Sequence, residues 1–241
     1  MSTKAHYQNH LSPIYAWMVG DFQKRVNEQV QFFESNEIRP QGTKKAVDLG
    51  CGHGIQSMAL GQLGYRVIGI DFDQHLLKHL DSRKGDLPIK THQSELMDFP
   101  SLVDSPELIV CMGDTLAHLE SGEAVDQLIM QSYHSLALSG KLILSYRDYG
   151  HQLEDIQRFI PVRADDQKIL TCILEYEKDR VRVTDLLQEK TATGWQQKAS
   201  SYYKLRLRAK HVESCVQEAG FDINLHQNIG RMLYMIAEKP A

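Results

Sequence analysis

Short apolar runs alternate with amphipathic stretches between residues 43 and 160. Runs at 45–50, 66–71, 107–111 and 141–146 have strand length, and a shorter one lies at 88–91. Between them, apolar residues recur at helical spacing over 54–64, 73–83 and 122–138. In the last of these, Val125, Leu128, Ile129, Tyr133 and Leu136 share one face. This β/α alternation predicts a parallel sheet with helices on both faces. Ahead of it, Ile14, Trp17, Met18, Val26, Val30 and Phe33 predict one or two helices within 12–38, ended by Pro40-Gln41-Gly42.

After residue 160 the pattern changes. Segments 169–176, 180–189 and 196–207 each read as strands with turns between them, which predicts an antiparallel meander. A helix at 209–219 follows, closed by Gly220. Strands at 222–227 and 232–238 lie close enough to form an antiparallel hairpin at one sheet edge. The predicted fold is α/β: a Rossmann-like, seven-stranded, mostly parallel sheet with a C-terminal antiparallel hairpin, an inserted meander and an N-terminal helical segment. A single domain over 1–241 is expected, with a helical lid at 1–42, a core at 43–160, an insertion at 161–208, and the final helix and hairpin at 209–241.

At 241 residues with 42 % hydrophobic positions, the chain can bury one full core. The net charge of −4 and the lack of a long Lys/Arg run argue against a nucleic-acid partner. No apolar run reaches transmembrane length and no signal peptide is read, so no membrane partner is expected. Cys51, Cys111, Cys172 and Cys215 are scattered without a CxxC pair, as in the reduced cysteines of a cytoplasmic protein. The histidines are dispersed too, and no structural metal is expected.

Asp48-Leu49-Gly50-Cys51-Gly52-His53-Gly54 follows the apolar pair Ala46-Val47, and the next apolar run ends on Asp71. This reads as strand, glycine-rich turn, helix, strand, and an acid at the strand's carboxyl end. Such a turn lets backbone and a helix N-terminus approach a ligand, while the acid is placed to accept from ribose hydroxyls. A nucleoside-cofactor site results. The glycine spacing is GxGxG, not the GxGxxG of dinucleotide sites, which tilts the cofactor towards S-adenosylmethionine. Two plainer readings stay open. Glycines accumulate in any tight strand-to-helix turn, and Asp71 could be the N-cap of the helix after it.

Four segments carry a closer likeness. They are Ile14-Tyr15-Ala16-Trp17-Met18-Val19-Gly20-Asp21 with Arg25, the glycine loop, Cys111-Met112-Gly113-Asp114-Thr115-Leu116-Ala117-His118-Leu119, and Tyr146-Arg147-Asp148-Tyr149. Fainter echoes lie in Ser201-Tyr202-Tyr203-Lys204-Leu205 and Val216-Gln217-Glu218-Ala219. On these residues the chain resembles the class I S-adenosylmethionine-dependent methyltransferases. Within them it resembles the glycine N-methyltransferase and glycine/sarcosine methyltransferase group.

The resemblance implies roles. Gly50, Cys51 and Gly52 would approach the methionine part of the cofactor, and Asp48 would order that loop. Asp71, with Phe72 beside it, would hold the ribose. Glu95 and Leu96 would meet the adenine, and Met112 and Gly113 would line the sulfonium end. Arg25 would reach the cofactor carboxylate, for which a planar guanidinium fork is suited. Arg147 would hold a carboxylate on the methyl acceptor, and Tyr15 would close the site as a lid. The implied acceptor is a small molecule, and a homo-oligomer is open by resemblance alone. Against these stand plainer roles: a solvated helix position for Arg25, a helix-cap acid for Glu95, and a surface ion pair with Asp148 or Glu154 for Arg147.

The chain departs from the family's Gly-Asn-Ser, which appears here as Gly113-Asp114-Thr115. An ionised aspartate only accepts hydrogen bonds. Near the transfer site Asp114 would favour a cationic amine or orient an amine N–H, which leaves an acceptor other than glycine open. A neutral amine attacks without a dedicated base, whereas an oxygen nucleophile usually needs a base or a metal. His118 reads as a packing or capping residue. Tyr15, Asp114 and Arg147 are the expected catalytic set for N-methylation. O-methylation of a small molecule and a non-catalytic cofactor-binding role remain as alternatives, while an NAD-dependent oxidoreductase is disfavoured by the glycine spacing and the terminal hairpin.

Overall fold

The computed structural model describes residues 2–241. The chain begins with α1 (Thr3–His6), a π-helical turn (Tyr7–Leu11), a 3-10 turn (Ser12–Ile14), α2 (Tyr15–Val19) and α3 (Phe22–Ser35). Gly20, at φ +88°, breaks the helical run, and Asp21 restarts it by accepting from the Lys24 N–H at 3.0 Å. The core follows as β1 (Lys45–Leu49), α4 (Ile55–Gln62), β2 (Arg66–Asp71), α5 (Gln74–Arg83), β3 (Ile89–Gln93), β4 (Leu108–Cys111), α6 (Gly122–Ser135) and β5 (Lys141–Tyr146). Strands β6 (Phe159–Ala164), β7 (Lys168–Tyr176), β8 (Arg180–Thr191) and β9 (Gly194–Leu205) come next, then α7 (Ala209–Glu218), β10 (Asp222–Ile229) and β11 (Met232–Glu238).

The main sheet has the order β10-β11-β5-β4-β1-β2-β3. Strands β1 to β5 pair in parallel, and β11 runs antiparallel both to β5 and to β10. All four residues of β4 are buried, because helices cover both faces and each residue enters one core or the other. Ile109 joins the layer with Val125, Leu128 and Val212, under α6 and α7. Val110 joins Val26, Phe33 and Leu60, under α3 and α4. After β3 the strand order reverses across β1 and β4, and their carboxyl ends flank the switch point where such sheets bind ligands.

The meander contains one strand more than the sequence reading expects: a four-stranded antiparallel sheet in the order β6-β7-β8-β9. The extra strand, β6, is an edge strand containing Pro161, and its register shifts between Pro161 and Arg163. A proline that cannot donate to a ladder hides a strand in the sequence, yet it suits an edge and a bulge. The N-terminal segment lies against this second sheet. Buried His6 contacts Asp185 Oδ2 at 3.0 Å and Ser200 Oγ at 2.7 Å, and Trp17 Nε1 donates to Asp165 at 2.5 Å. Among the described residues no helix is long and apolar enough to cross a membrane.

Candidate active site

β1 ends at Gly50, whose φ of +72° turns the chain. A Cβ there would stand 2.3 Å from Thr115 Cγ2, so glycine alone fits. The N–H groups of Gly50 and Cys51 donate to the Ile70 carbonyl at 2.8 and 3.0 Å, pinning the loop to the end of β2. Asp71 completes the arrangement: Oδ2 accepts from the Gly52 N–H and Oδ1 from the Asp73 N–H, each at 2.8 Å. Burial pushes the Asp71 carboxyl up to about 6. The cap of α5 is Asp73, which accepts from the His75 and Leu76 N–H groups at 2.9 and 3.2 Å, so Asp71 is not spent on capping. Asp48 lies deeper. It accepts from Ser57 Oγ at 2.6 Å, and burial pushes it up to about 7.

A cavity of about 420 Å³ opens at the carboxyl ends of β1, β2 and β4, within the range of small-molecule sites. Gly50, Cys51 and Gly52 form one side, Asp71, Phe72 and Leu96 a second, and Met112 with Gly113 a third. Tyr7 and Tyr15 face it from the N-terminal segment. Nine of the residues singled out in the sequence therefore share one wall: Tyr15, Gly50, Cys51, Gly52, Asp71, Phe72, Leu96, Met112 and Gly113.

Five others stand off it. Arg25 turns its Nη1 to Glu28, three residues along the exposed side of α3, at 3.1 Å. Glu95 is exposed and pairs with Lys4, and it is Lys4 that reaches the wall. Asp48 is held by Ser57 behind the loop. The Arg147 side chain lines a separate cleft with Leu153, Phe159 and Tyr176, and only its backbone N–H engages the site, donating to Asp114 Oδ1 at 3.0 Å. The residue lies past the end of β5, and its side chain turns under the second sheet.

Asp114 also stands off the wall. Its carboxylate accepts from Tyr149 Oη at 2.7 Å and from Lys204 Nζ at 2.6 Å, so it is neutralised rather than offered to a cationic amine. Burial alone would raise this carboxyl, but the Lys204 ammonium and the Tyr149 and Arg147 donors outweigh it and hold it below the usual range. Lys204 comes from β9 and shares a strand face with buried Tyr202. The period of two at 202 and 204 is the one signal in the sequence that could have placed this lysine inward.

Tyr7 and His118, which the sequence reading passed over or took as packing, both line the cavity. Tyr7 Oη lies 3.2 Å from His118 Nε2, and the imidazole stacks on Tyr202 with ring centroids 5.7 Å apart. His118 Nδ1 is buried without a hydrogen-bond partner. Burial, and then the nearby Lys204 charge, lower the imidazole to about 3, so it is neutral.

A family profile described as a methyltransferase domain matches residues 46–140, the stretch that holds the glycine loop, Asp71 and Met112-Gly113. The whole fold superimposes on the amino pentose methyltransferase CalS10 of Micromonospora echinaspora, solved with S-adenosylmethionine bound. The TM-score is 0.74 at 12 % identity over 91 % of this chain and 92 % of that one. Residues 46–140 thus carry a methyltransferase domain, and the whole chain has the fold of S-adenosylmethionine-dependent methyltransferases.

The wall of this cavity fits that cofactor. Each oxygen of Asp71 has one backbone donor and keeps a lone pair for a ribose hydroxyl. Phe72 and Leu96 offer apolar surface to a base, and no side chain projects from Gly50 or Gly52. The glycine N-methyltransferase of Oryctolagus cuniculus is 21 % identical over 156 residues, covering 58 % of this chain and 52 % of that protein. The glycine/sarcosine N-methyltransferase of Aphanothece halophytica is 24 % identical over 156 residues, covering 62 % of this chain and 58 % of that protein. The chain thus spans little more than half the length of these relatives.

Proposed function

We propose that the protein transfers a methyl group from S-adenosylmethionine to the nitrogen of a small-molecule amine. The observation that carries this reading is buried His118, neutral, at the cavity wall with its Nε2 3.2 Å from Tyr7 Oη and the Lys204 charge nearby. S-adenosylmethionine, when bound, supplies a methyl on a positive sulfonium that needs no further activation. The protein's task is then to hold an acceptor in line, and alignment of this kind can contribute roughly 7–11 kcal/mol.

An ammonium ion is a poor guest at this buried end, where the Asp114 carboxylate is already paired with Lys204. Desolvation favours the uncharged amine, which is the nucleophilic form. Tyr7 Oη, 3.2 Å from His118 Nε2, gives the amine one hydrogen-bonding partner, and Tyr15 helps to enclose it. An oxygen nucleophile would need a base, and an imidazole with so low a proton affinity is a weak one. Similar proteins are named for methylating glycine, sarcosine or an amino pentose, each of which carries an amine.

The test is S-adenosylhomocysteine release with labelled S-adenosylmethionine and a panel of primary and secondary amines, each beside its hydroxy analogue. The methyl position would be read by NMR. Methyl on nitrogen supports the proposal. Methyl on oxygen alone, or cofactor binding without turnover of any acceptor, would reject it.

A further inference from the structure

On the far side of α6 and α7 from the sheet, Asp126, His211 and Cys215 converge. His211 and Cys215 are four residues apart on α7 and so project from one face. Asp126 comes from α6. Cys215 Sγ lies 2.8 Å from Asp126 Oδ1 and 3.7 Å from His211 Nε2, and that nitrogen lies 3.2 Å from the same Asp126 oxygen. This is not a nucleophile relay. In a relay the acid holds the ring nitrogen that faces away from the thiol, whereas here the acid meets Nε2 and the thiol stands nearly equally far from both ring nitrogens, at 3.7 and 3.8 Å.

Three unlike ligand atoms around one point make a different object. Zinc bonds of about 2.3 Å to sulfur, about 2.0–2.1 Å to nitrogen and about 2.0–2.2 Å to oxygen, at tetrahedral angles, set N and O about 3.3 Å apart and S about 3.5 Å from either. The N–O and S–N separations of 3.2 and 3.7 Å already match this triangle. The S–O separation of 2.8 Å is that of a thiol donating to a carboxylate, and it opens when that proton leaves.

We propose that Asp126, His211 and Cys215 bind a divalent transition-metal ion of the zinc class, bridging α6 to α7. Glu123 stands one helical turn before Asp126 and lines the same cleft as His211, so it or a water can complete the tetrahedron. On binding, the Cys215 S–H releases its proton to solvent and a metal–sulfur bond forms. His211 contributes its Nε2 lone pair as neutral imidazole, and no electron changes hands. The sequence carries the matching signal, His-x-x-x-Cys on one helix, which a search for CxxC pairs does not find.

The cysteines make the test specific. Cys51, Cys111 and Cys172 are buried and Cys215 is not, so a thiol reagent applied to the folded protein reads Cys215. Cobalt(II) added to the reduced full-length protein is expected to give tetrahedral d–d absorption and a thiolate charge-transfer band, saturating at one equivalent and displaced by zinc. Zinc is expected to raise Tm and to slow Cys215 alkylation by about tenfold or more when well above its Kd. Both responses should vanish in Cys215→Ser and in His211→Ala, surface changes whose fold is checked by circular dichroism. Absence of the thiolate band, or the same band and the same Tm shift in Cys215→Ser, would overturn the site. Neither readout depends on methyl transfer.

Discussion

Lys204 sets its ammonium 2.6 Å from the Asp114 carboxylate across 90 residues of chain, tying β9 of the second sheet to the turn that follows β4. Both side chains are buried, and Asp114 also takes the Tyr149 hydroxyl and the Arg147 N–H. Removing one partner of such a pair leaves an uncompensated charge, at a cost of about 3–5 kcal/mol. Lys204→Met is therefore expected to lose about that much in urea unfolding at pH 7. The double variant Lys204→Met/Asp114→Asn should recover a large part of it. A double variant no more stable than the single one would show that the pair's charge balance is not what holds the turn. Because Asp114 is held below the usual carboxylate range, its share of stability is present above about pH 4 and is lost as the pH falls through its lower folded value.

Asp71 joins the glycine loop to the turn after β2, and its proposed partner is the cofactor ribose. A charge-assisted hydrogen bond contributes about 1.5–3 kcal/mol, so Asp71→Asn should weaken S-adenosylhomocysteine binding by roughly 10- to 150-fold in calorimetric titration. The wild-type carboxyl sits at about 6 through burial, and only its ionised form accepts at both oxygens. Affinity for S-adenosylhomocysteine is thus expected to fall as the pH drops from 7.5 through about 6, a fall that Asp71→Asn should flatten. A folded variant with unchanged Kd and an unchanged pH profile would refute the ribose role.

Asp48 has the opposite linkage to Asp114. Its folded carboxyl is raised to about 7 from the ordinary 3.8, so above pH 7 the native state carries the full cost of a buried charge. That cost shrinks as the pH falls through 7 and is gone below 3.8. Asp48→Asn keeps an oxygen for Ser57 Oγ and should be more stable than wild type at pH 8, by up to a few kcal/mol, with the gain shrinking towards pH 5. A pH-independent difference in Tm would show that the substitution acts through packing instead.

The parts legible in the sequence are those that local chemistry encodes. Continuous apolar runs at β4 and β5 announce strands covered on both faces, and Gly50, Gly52 and Asp71 announce the cofactor wall because a tight turn and an acid at a strand end are local events. The acceptor end is different. As proposed, it is built from Tyr7 and His118 with the Asp114–Lys204 pair nearby, and their convergence depends on how the N-terminal segment and the second sheet fold over the core, which no periodicity records. Arg25 and Arg147 are hard to place from sequence for a related reason: long flexible side chains are placed by their neighbours, Glu28 on α3 for one and the cleft beneath β6 and β7 for the other. Pro161 concealed β6 because ladder-breaking chemistry is tolerated at an edge.

His118 tests the acceptor end itself. His118→Phe keeps a planar ring against Tyr202 and deletes both nitrogens, so cofactor binding should stay within about threefold while kcat/KM for the amine falls about 10- to 100-fold, the worth of one or two buried hydrogen bonds. With its imidazole lowered to about 3, His118 takes up no proton in the working range and should add no limb to the pH–rate profile between 5 and 9. The rising limb of kcat/KM belongs instead to the acceptor amine and should move with the amine's own pKa when amines of different basicity are compared. A limb near pH 6–7 that stays fixed across amines and disappears in His118→Phe would make His118 a titrating base, and the neutral-amine reading of the site would fall.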